Sequence, residues 1–327
     1  MTTPAVPSTT MVVIVNPTKF DDLDEVREEI SGVADARGVG VRIVETTEDD
    51  PGFGQTRQAV AEGADVVCAL GGDGTVRAVA QVLAGTGVPL GLLPGGTGNL
   101  LARNLGVPLS SIGEALTTVI DGVNRSVDIG WLEVDPGEGA SGIPDPAAAN
   151  VHAFTVMAGL GFDATIMDDA PEGVKDTVGW AAYVIAAAKH LRGEGFQAEV
   201  TLDGATSPAA GARTVIVGNC GTLTGGIVLL PDAVIDDALL DLAVLTPESL
   251  TQWAALAGRV VTGQAADGPS IARSQGREVV IVADPPQPVE VDGDVLEVAG
   301  RIRATLTPGA LVVRVATDTP AESADGR

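Results

Sequence analysis

Aromatic side chains make up 3% of the sequence, too few for the stacking platforms on which single-stranded nucleic acid lies. Basic residues are also scarce. Nineteen Lys+Arg stand against 44 Asp+Glu, a formal net charge of −25. Phosphate-backbone binding needs a basic surface, so nucleic acid is not expected as a partner. Cysteine occurs only at Cys68 and Cys220, far apart and in apolar or glycine-rich runs, which excludes a disulfide framework and points to a reducing compartment. The only histidines are His152 and His190, and no Cys-x-x-Cys pair exists, which argues against a zinc centre of the usual kind. The longest apolar stretch, Val178–Ala188, contains Tyr183 and is closed by Lys189, well short of the ~20 residues of a membrane span. The first ten residues hold no basic n-region and no long apolar run, so no secretory signal is expected. A cytoplasmic protein is expected.

What remains is aliphatic. Hydrophobic residues reach 45% of 327, and glycine supplies 42 positions, the composition of a folded chain of about two domains. Short β-branched runs at Met11–Val15, Val39–Val44, Ala64–Leu70 and Val88–Leu93 alternate with helical spacing over Asp21–Arg37, Thr56–Glu62, a segment from Thr75, and Asn99–Leu105. Strand and helix alternating four times predict a parallel sheet with crossover helices. After Val127–Trp131 the texture changes. Asp135–Asn150 has no apolar period and reads as a mobile insertion. Short strand-like runs follow to Leu306, interrupted by helical patterns at Val178–Leu191 and Leu250–Thr262. The predicted fold class is α/β: a parallel-sheet nucleotide-binding domain with a second, β-rich sandwich-like domain.

Two glycine-rich turns stand between strand and helix: Gly71-Gly72-Asp73-Gly74-Thr75 and Pro94-Gly95-Gly96-Thr97-Gly98-Asn99. Glycines admit close backbone approach, and a helix N-terminus offers N–H groups and a positive dipole end to a phosphate. Thr75 reads as the N-cap of its helix, and Asp73 as a residue that orients the loop or a phosphate-bound Mg²⁺. In right-handed βαβ units both turns fall at the carboxyl edge of the sheet, where Asn16-Pro17-Thr18 and Thr47 end the first two strands. Ligands of open α/β sheets bind there. The Walker pattern is absent. Gly159–Ala164 matches a dinucleotide pattern loosely but lies outside the alternating unit and reads as a decoy.

The segments Val12–Lys19, Gly71–Thr75 and Gly91–Gly106 (GLLPGGTGNLLARNLG), in this order and spacing, resemble the diacylglycerol kinase catalytic-domain family. So do Pro231–Asp241 (PDAVIDDALLD) and Val289–Asp294 (VEVDGD). The resemblance runs from the first strand to Val315. It implies a lipid kinase that moves the γ-phosphate of ATP, with Mg²⁺, to the hydroxyl of diacylglycerol or a related lipid alcohol. By the same resemblance, Asn16, Pro17, Thr18, Lys19, Thr47, Gly71, Gly72, Asp73, Gly74, Thr75, Gly95, Gly96, Thr97 and Asn99 contact ATP. Its last strand, near Ala310–Val315, returns to the nucleotide domain. The domains expected are thus 10–128 with 310–316 and 129–309, with disordered tails at 1–9 and 317–327.

Asp292-Gly293 between alternating apolar runs is a strong hairpin signal. The family reads Asp-Gly-Glu here and uses the acids to activate the acceptor hydroxyl, which makes Asp292 and Asp294 candidate catalytic residues, Asp294 replacing the glutamate. If both merely form the turn, Asp→Asn at either is expected to be nearly silent. Val234, Asp237 and Leu239 match the family's structural Mg²⁺ loop, with Ala238 where the family has glycine. Arg77 and Leu100 also depart from the family's usual asparagine and aspartate. The partners implied are a lipid alcohol and, transiently, the inner membrane face; a homodimer stays open. The alternatives are an NAD kinase, which shares the Gly-Gly-Asp-Gly loop, and a nucleotide-binding regulator with weakened catalysis.

Overall fold

A computed structural model describes residues 9–137, 139–161, 195–223, 227–249, 251–253, 255 and 270–317. The chain divides into two compact units, one holding the chain up to Val127 together with the segment from Gly309, the other Asp128–Pro308.

The first unit alternates β1 (Thr10–Val15), α1 (Leu23–Asp35), β2 (Gly40–Glu45), α2 (Phe53–Ala61), β3 (Val66–Gly71), α3 (Asp73–Leu83), β4 (Leu90–Pro94), α4 (Leu100–Asn104) and α5 (Ile112–Asp121). The strands run parallel in the order β4-β3-β1-β2. β3 is buried throughout and β1 from Met11 onward, as strands covered on both faces must be, which explains their unbroken Val/Ile/Leu/Ala runs. α1 starts where Asp22 accepts from the backbone N–H groups of Asp24 and Glu25. It buries Val26, Ile30 and Ala34, one stripe at i, i+4 spacing. α5 was not anticipated from hydrophobic period, yet Ser111 caps it by accepting from Glu114 N, and Ser-x-x-Glu is a legible start signal. Thr75 does not cap α3. The cap is Gly72, and Thr75 sits buried inside the first turn.

Between the units' own segments the chain passes along β5 (Val123–Val134) and, near its end, β16 (Asp294–Val315). The other strands are β6 (Val151–Phe154), β7 (Met157–Leu160), β8 (Phe196–Leu202), β9 (Ala205–Ala212), β10 (Thr214–Gly218), the short pair β11 (Thr222–Leu223) and β12 (Ile227–Val228), β13 (Leu240–Leu245), β14 (Ile271–Gly276) and β15 (Glu278–Val291). In the first unit the last stretch of β16 lies parallel to β4, with Val313 opposite Leu90.

In the second unit the strands follow the order β14-β13-β10-β7-β15-β16, antiparallel at each pairing. β15 changes register between Val282 and Gln287. Its first half pairs with β8 and its last three residues with β7, so one bulged strand serves two layers. Alternate residues, among them Leu160, Val215, Val217, Leu242, Ile281, Val289 and Val291, fill the core of this unit.

The insertion Asp135–Asn150 is tied down rather than mobile. Asp135 N donates to Arg301 O at 2.8 Å and Asn150 Nδ2 to Val134 O at 3.0 Å. The guanidinium of Arg303, 2% exposed, donates to Glu133, Glu278 and the Gly142 carbonyl. A buried Arg must satisfy its whole fork, and the loop supplies one acceptor. The helical patterns Val178–Leu191 and Leu250–Thr262, apart from a few residues about Trp253, lie outside the described residues, as do the expected tails except for residues 9 and 317. Among the described residues no helix is long and apolar enough to cross a membrane.

Candidate functional site

Parallel strands bring their ends to one edge. In the first unit Val15 is level with Leu70, and Gly71 with Pro94. Asn16 N then donates to Leu70 O at 2.9 Å. The Asn16 side chain accepts from Thr18 N at 3.1 Å and Thr18 Oγ1 at 2.8 Å. That closes the Pro17–Lys19 turn and leaves Thr18 and Lys19 exposed.

The two glycine turns touch backbone to backbone. A Cβ at Gly95 would lie 2.8 Å from Gly71 N, and one at Gly96 2.7 Å from Gly72 Cα, so only glycine permits this approach. Two side chains brace the pair. Asp73 Oδ1 accepts from Leu100 N at 2.7 Å, joining α3's first turn to the start of α4. Asn99, left-handed at φ 47°, accepts from Gly96 N at 3.3 Å and donates to Gly96 O at 2.7 Å. No side chain caps α3, so its dipole end faces the turns uncompensated by a cap. Gly71, Gly72, Gly74, Gly95, Gly96, Thr97 and Asn16–Lys19 therefore meet at one edge. Thr47 ends β2 at that edge, but it is exposed, and its hydroxyl accepts from Asp50 N at 3.1 Å in a turn of its own.

In the second unit Asp292 and Gly293 adopt φ of 48° and 90°, the hairpin turn expected of Asp-Gly. The side chain does more than turn the chain. Asp292 is 2% exposed. Its Oδ2 accepts from Thr155 N at 2.8 Å and Thr155 Oγ1 at 3.0 Å, its Oδ1 from Val156 N and Met157 N at 2.9 Å each. These four bonds fasten the β15–β16 hairpin to the β6–β7 connection. An Asn there presents one acceptor instead of two, so Asp292→Asn is not expected to be silent even if the pair only turns the chain. Asp294 opens β16 on the surface.

A third carboxylate of this hairpin escaped the sequence reading. Glu290 is pushed up to about 7, first by burial and then by the charges of Asp292 and Asp294. The available signal was an acid alternating with two core valines, Val289 and Val291.

The acidic turn before β13 is equally strained electrostatically. Asp128 Oδ2 accepts from Ala238 N at 2.7 Å, and Asp237 Oδ1 from Leu239 N at 3.0 Å. Ala238 itself is left-handed, φ 64°, which accounts for the family's preference for glycine. Burial raises Asp237, with Asp128 and Asp236 adding to it. Asp241 is raised to about 6 by burial, reinforced by Asp237 and Asp232, and its Oδ2 is buried with no hydrogen-bond partner. A hard cation with oxygen ligands suits such a place. Among the described residues no three His, Cys, Asp or Glu side chains are themselves gathered as a metal cluster, so carbonyls such as those of Val234 and Leu239 would have to complete the shell.

Because its folded pKa lies above the ordinary carboxylate value, Asp241 holds its proton in the fold after the unfolded chain has lost it. The wild type should lose stability as pH rises from about 4 to about 6. Asp241→Asn should escape that loss, leaving it the more stable by roughly 2–3 kcal/mol above pH 7 without divalent cation. Urea midpoints across pH, with and without Mg²⁺, check this. Equal midpoints for both proteins at pH 8 would remove the strained carboxylate.

A parallel-sheet unit with paired glycine turns at its strand ends, joined to a β-sandwich-like unit, is the fold of the diacylglycerol kinase and NAD kinase class. The sequence comparisons agree. Residues 10–132 match the diacylglycerol kinase catalytic domain, and residues 156–315 the YegS C-terminal NAD kinase beta sandwich-like domain. A protein of Xanthomonas oryzae named probable lipid kinase YegS-like is 32% identical over 316 residues, 94% of this chain and 96% of that one. The diacylglycerol kinase of Mycobacterium tuberculosis is 31% identical over 237 residues, 72% of each chain. A longer Synechocystis protein, 29% identical over 245 residues, is spanned over only 52% of its length. A crystal structure of a diacylglycerol kinase from Bacillus anthracis superposes with TM-score 0.69 at 21% identity, covering 95% of this chain and 98% of that one. Yeast NADH kinase complexed with NADH gives 0.51 at 14% identity, covering 97% and 86%, a likeness of fold alone. The chain belongs to the family of lipid kinases built on the diacylglycerol kinase catalytic domain.

Proposed function

We propose that this protein transfers the γ-phosphate of ATP to the hydroxyl of a lipid alcohol of the diacylglycerol type. The observation that carries the reading is the contact of the Gly71–Thr75 and Pro94–Asn99 turns, braced by Asp73 and set at the uncapped start of α3. Backbone N–H groups and a dipole end suit the ATP phosphates, with Thr18, Lys19 and Thr97 exposed beside them. Mg²⁺ bound with the nucleotide would neutralise charge on the phosphates. The acceptor's proton goes to the carboxylates of the β15–β16 hairpin, Asp292 and Asp294 among the candidates, since phosphoryl transfer to an alcohol is helped by a positioned base. Membership of the lipid-kinase family supports the lipid acceptor. With a net charge of −25, contact with an anionic membrane face would have to be local and transient, because repulsion is screened beyond ~8 Å at physiological salt.

The test is transfer of radiolabelled γ-phosphate from ATP with Mg²⁺, offered diacylglycerol, other lipid alcohols and NAD in separate reactions. Label is expected in a lipid product. Label in NAD alone would replace this reading with NAD kinase, and ATP binding without transfer to any acceptor would leave a regulator.

A further inference from the structure

Lysine occurs only at Lys19, Lys175 and Lys189, and Lys19 alone of these lies among the described residues. It ends the turn that follows β1. Two anchors fix it. On one side Asn16 N donates to Leu70 O at 2.9 Å and Lys19 N to Asn16 O at 3.3 Å. On the other, Phe20 is half-buried, and its ring tip lies 3.0 Å from where a Cβ on Gly95 would stand. Between these anchors the Lys19 Cε lies 3.7 Å from the Cβ position of Gly72. The stem therefore runs over Gly72, the residue that caps α3, and the ammonium is one bond further on. All of these residues belong to the first unit.

A cation is out of place there. A helix N-terminus carries the positive dipole end and favours negative charge, and no side chain caps α3. Yet no carboxylate answers Lys19. Every described arginine of this unit has a partner, from the ion pairs of Arg27, Arg37 and Arg42 to the carbonyls held by Arg103 and Arg314. Lys19 has neither an ion pair nor a side-chain hydrogen bond with any described residue, in a chain with 44 Asp+Glu. Two positive sources close together repel each other, and an anion set between them satisfies both.

We propose that Lys19 holds the terminal phosphate of the donor nucleotide and so makes this protein select a nucleoside triphosphate over the diphosphate. The inference rests on the ATP-dependent reading above and deepens it. Its basis is that two kinds of donor meet at this edge. The backbone N–H groups of the glycine turns are fixed, because Gly95 and Gly96 are pressed against Gly71 and Gly72. Fixed donors suit the phosphates that stay with the nucleotide. Lys19 is exposed and carries three rotatable donors on a flexible four-carbon stem, which suits the outermost phosphate, the one that leaves. Phe20 is a positioning residue, which acts by holding Lys19 over Gly72.

The test is calorimetric binding of ATP and of ADP, each with Mg²⁺, to the full chain with no lipid acceptor present. The wild type should bind ATP more tightly than ADP. Lys19→Met keeps an unbranched stem and removes the charge. It should lose about 10–10²-fold in ATP affinity, the worth of a hydrogen bond from a charged group. Its ADP affinity should fall by less than about fivefold, the reach of a screened, more distant charge. Lys19→Arg should recover most of the loss. Phe20→Ala should weaken ATP binding by itself and add nothing in the Lys19→Met background, because the two residues act as one unit. A merely structural role for Lys19 would lower ATP and ADP affinity together. Unchanged ATP affinity in Lys19→Met would overturn the proposal. Equal losses for ATP and ADP would overturn it too, by taking Lys19 off the terminal phosphate. With wild-type protein that labels lipid from ATP, either result leaves the lipid-kinase reading intact. A wild type that binds no ATP would sink that reading and this proposal together.

Discussion

Asp73→Ala is expected to lower kcat/KM for ATP by about 10²-fold, while unfolding free energy falls by only about 1–3 kcal/mol. The side chain's hydrogen bond to Leu100 N, 2.7 Å long, is what locks one glycine turn onto the other. Removing it costs a charge-assisted bond at a partly buried site. The larger effect is on geometry. Gly95 and Gly96 approach Gly71 and Gly72 so closely that a small drift of the Pro94–Asn99 turn displaces every backbone donor offered to the phosphates. Misplacement by about 1 Å is enough for a 10²-fold loss. Asp73→Asn keeps an acceptor at Oδ1 and should recover most of the activity. Steady-state kinetics in ATP with urea unfolding of both variants decides the matter. Wild-type ATP kinetics in Asp73→Ala, at normal stability, would detach the loop from nucleotide binding.

Asp292→Asn should destabilise the protein by about 2–5 kcal/mol. Four donors converge on the two carboxylate oxygens of Asp292, and the residue is almost wholly buried. The amide keeps one oxygen and turns an NH₂ either toward the Val156 and Met157 N–H groups or toward Thr155, whose hydroxyl can turn to accept while its N–H cannot, so one or two donors are left unsatisfied at roughly 1–3 kcal/mol each. Asp292→Ser, which gives up nearly all four, should be worse. Denaturant midpoints measure both. The consequence for enzymology is direct: lost turnover in an Asp292 variant reports on the hairpin's anchorage before it reports on proton transfer. An Asp292→Asn protein as stable as the wild type would show that the four bonds do not hold the hairpin.

Much of the first unit was legible because its signals are local. Buried parallel strands write themselves as unbroken Val/Ile/Leu runs, and Gly-Gly-Asp-Gly and Pro-Gly-Gly-Thr-Gly are turn chemistry within five or six residues. Even so, boundaries moved. The cap of α3 is Gly72 and not Thr75, because the turn tightens early enough for Asp73 to enter the helix and reach Leu100. α5 went unseen although Ser111 and Glu114 announced its start; hydrophobic period alone passed over it. In the second unit the Asp135–Asn150 loop looked mobile by composition, whereas Arg303, 150 and more residues downstream of most of it, holds its Gly142 carbonyl. No local pattern carries that contact.

The same division runs through the site. Sequence by itself determined the class of fold, the glycine turns and their family, and the Asp-Gly hairpin, since each depends on residue type and short spacing. Tertiary structure decided where each acid of the hairpin stands. Asp292, Asp294 and Glu290 stand within five residues and are chemically near-equivalent along the chain. Only packing separates them, giving Asp292 four donors from the β6–β7 connection, Asp294 to solvent, and Glu290 a place beside a glycine on the neighbouring strand. A carboxylate's role follows from the donors and the dielectric around it, and those come from strands distant in sequence.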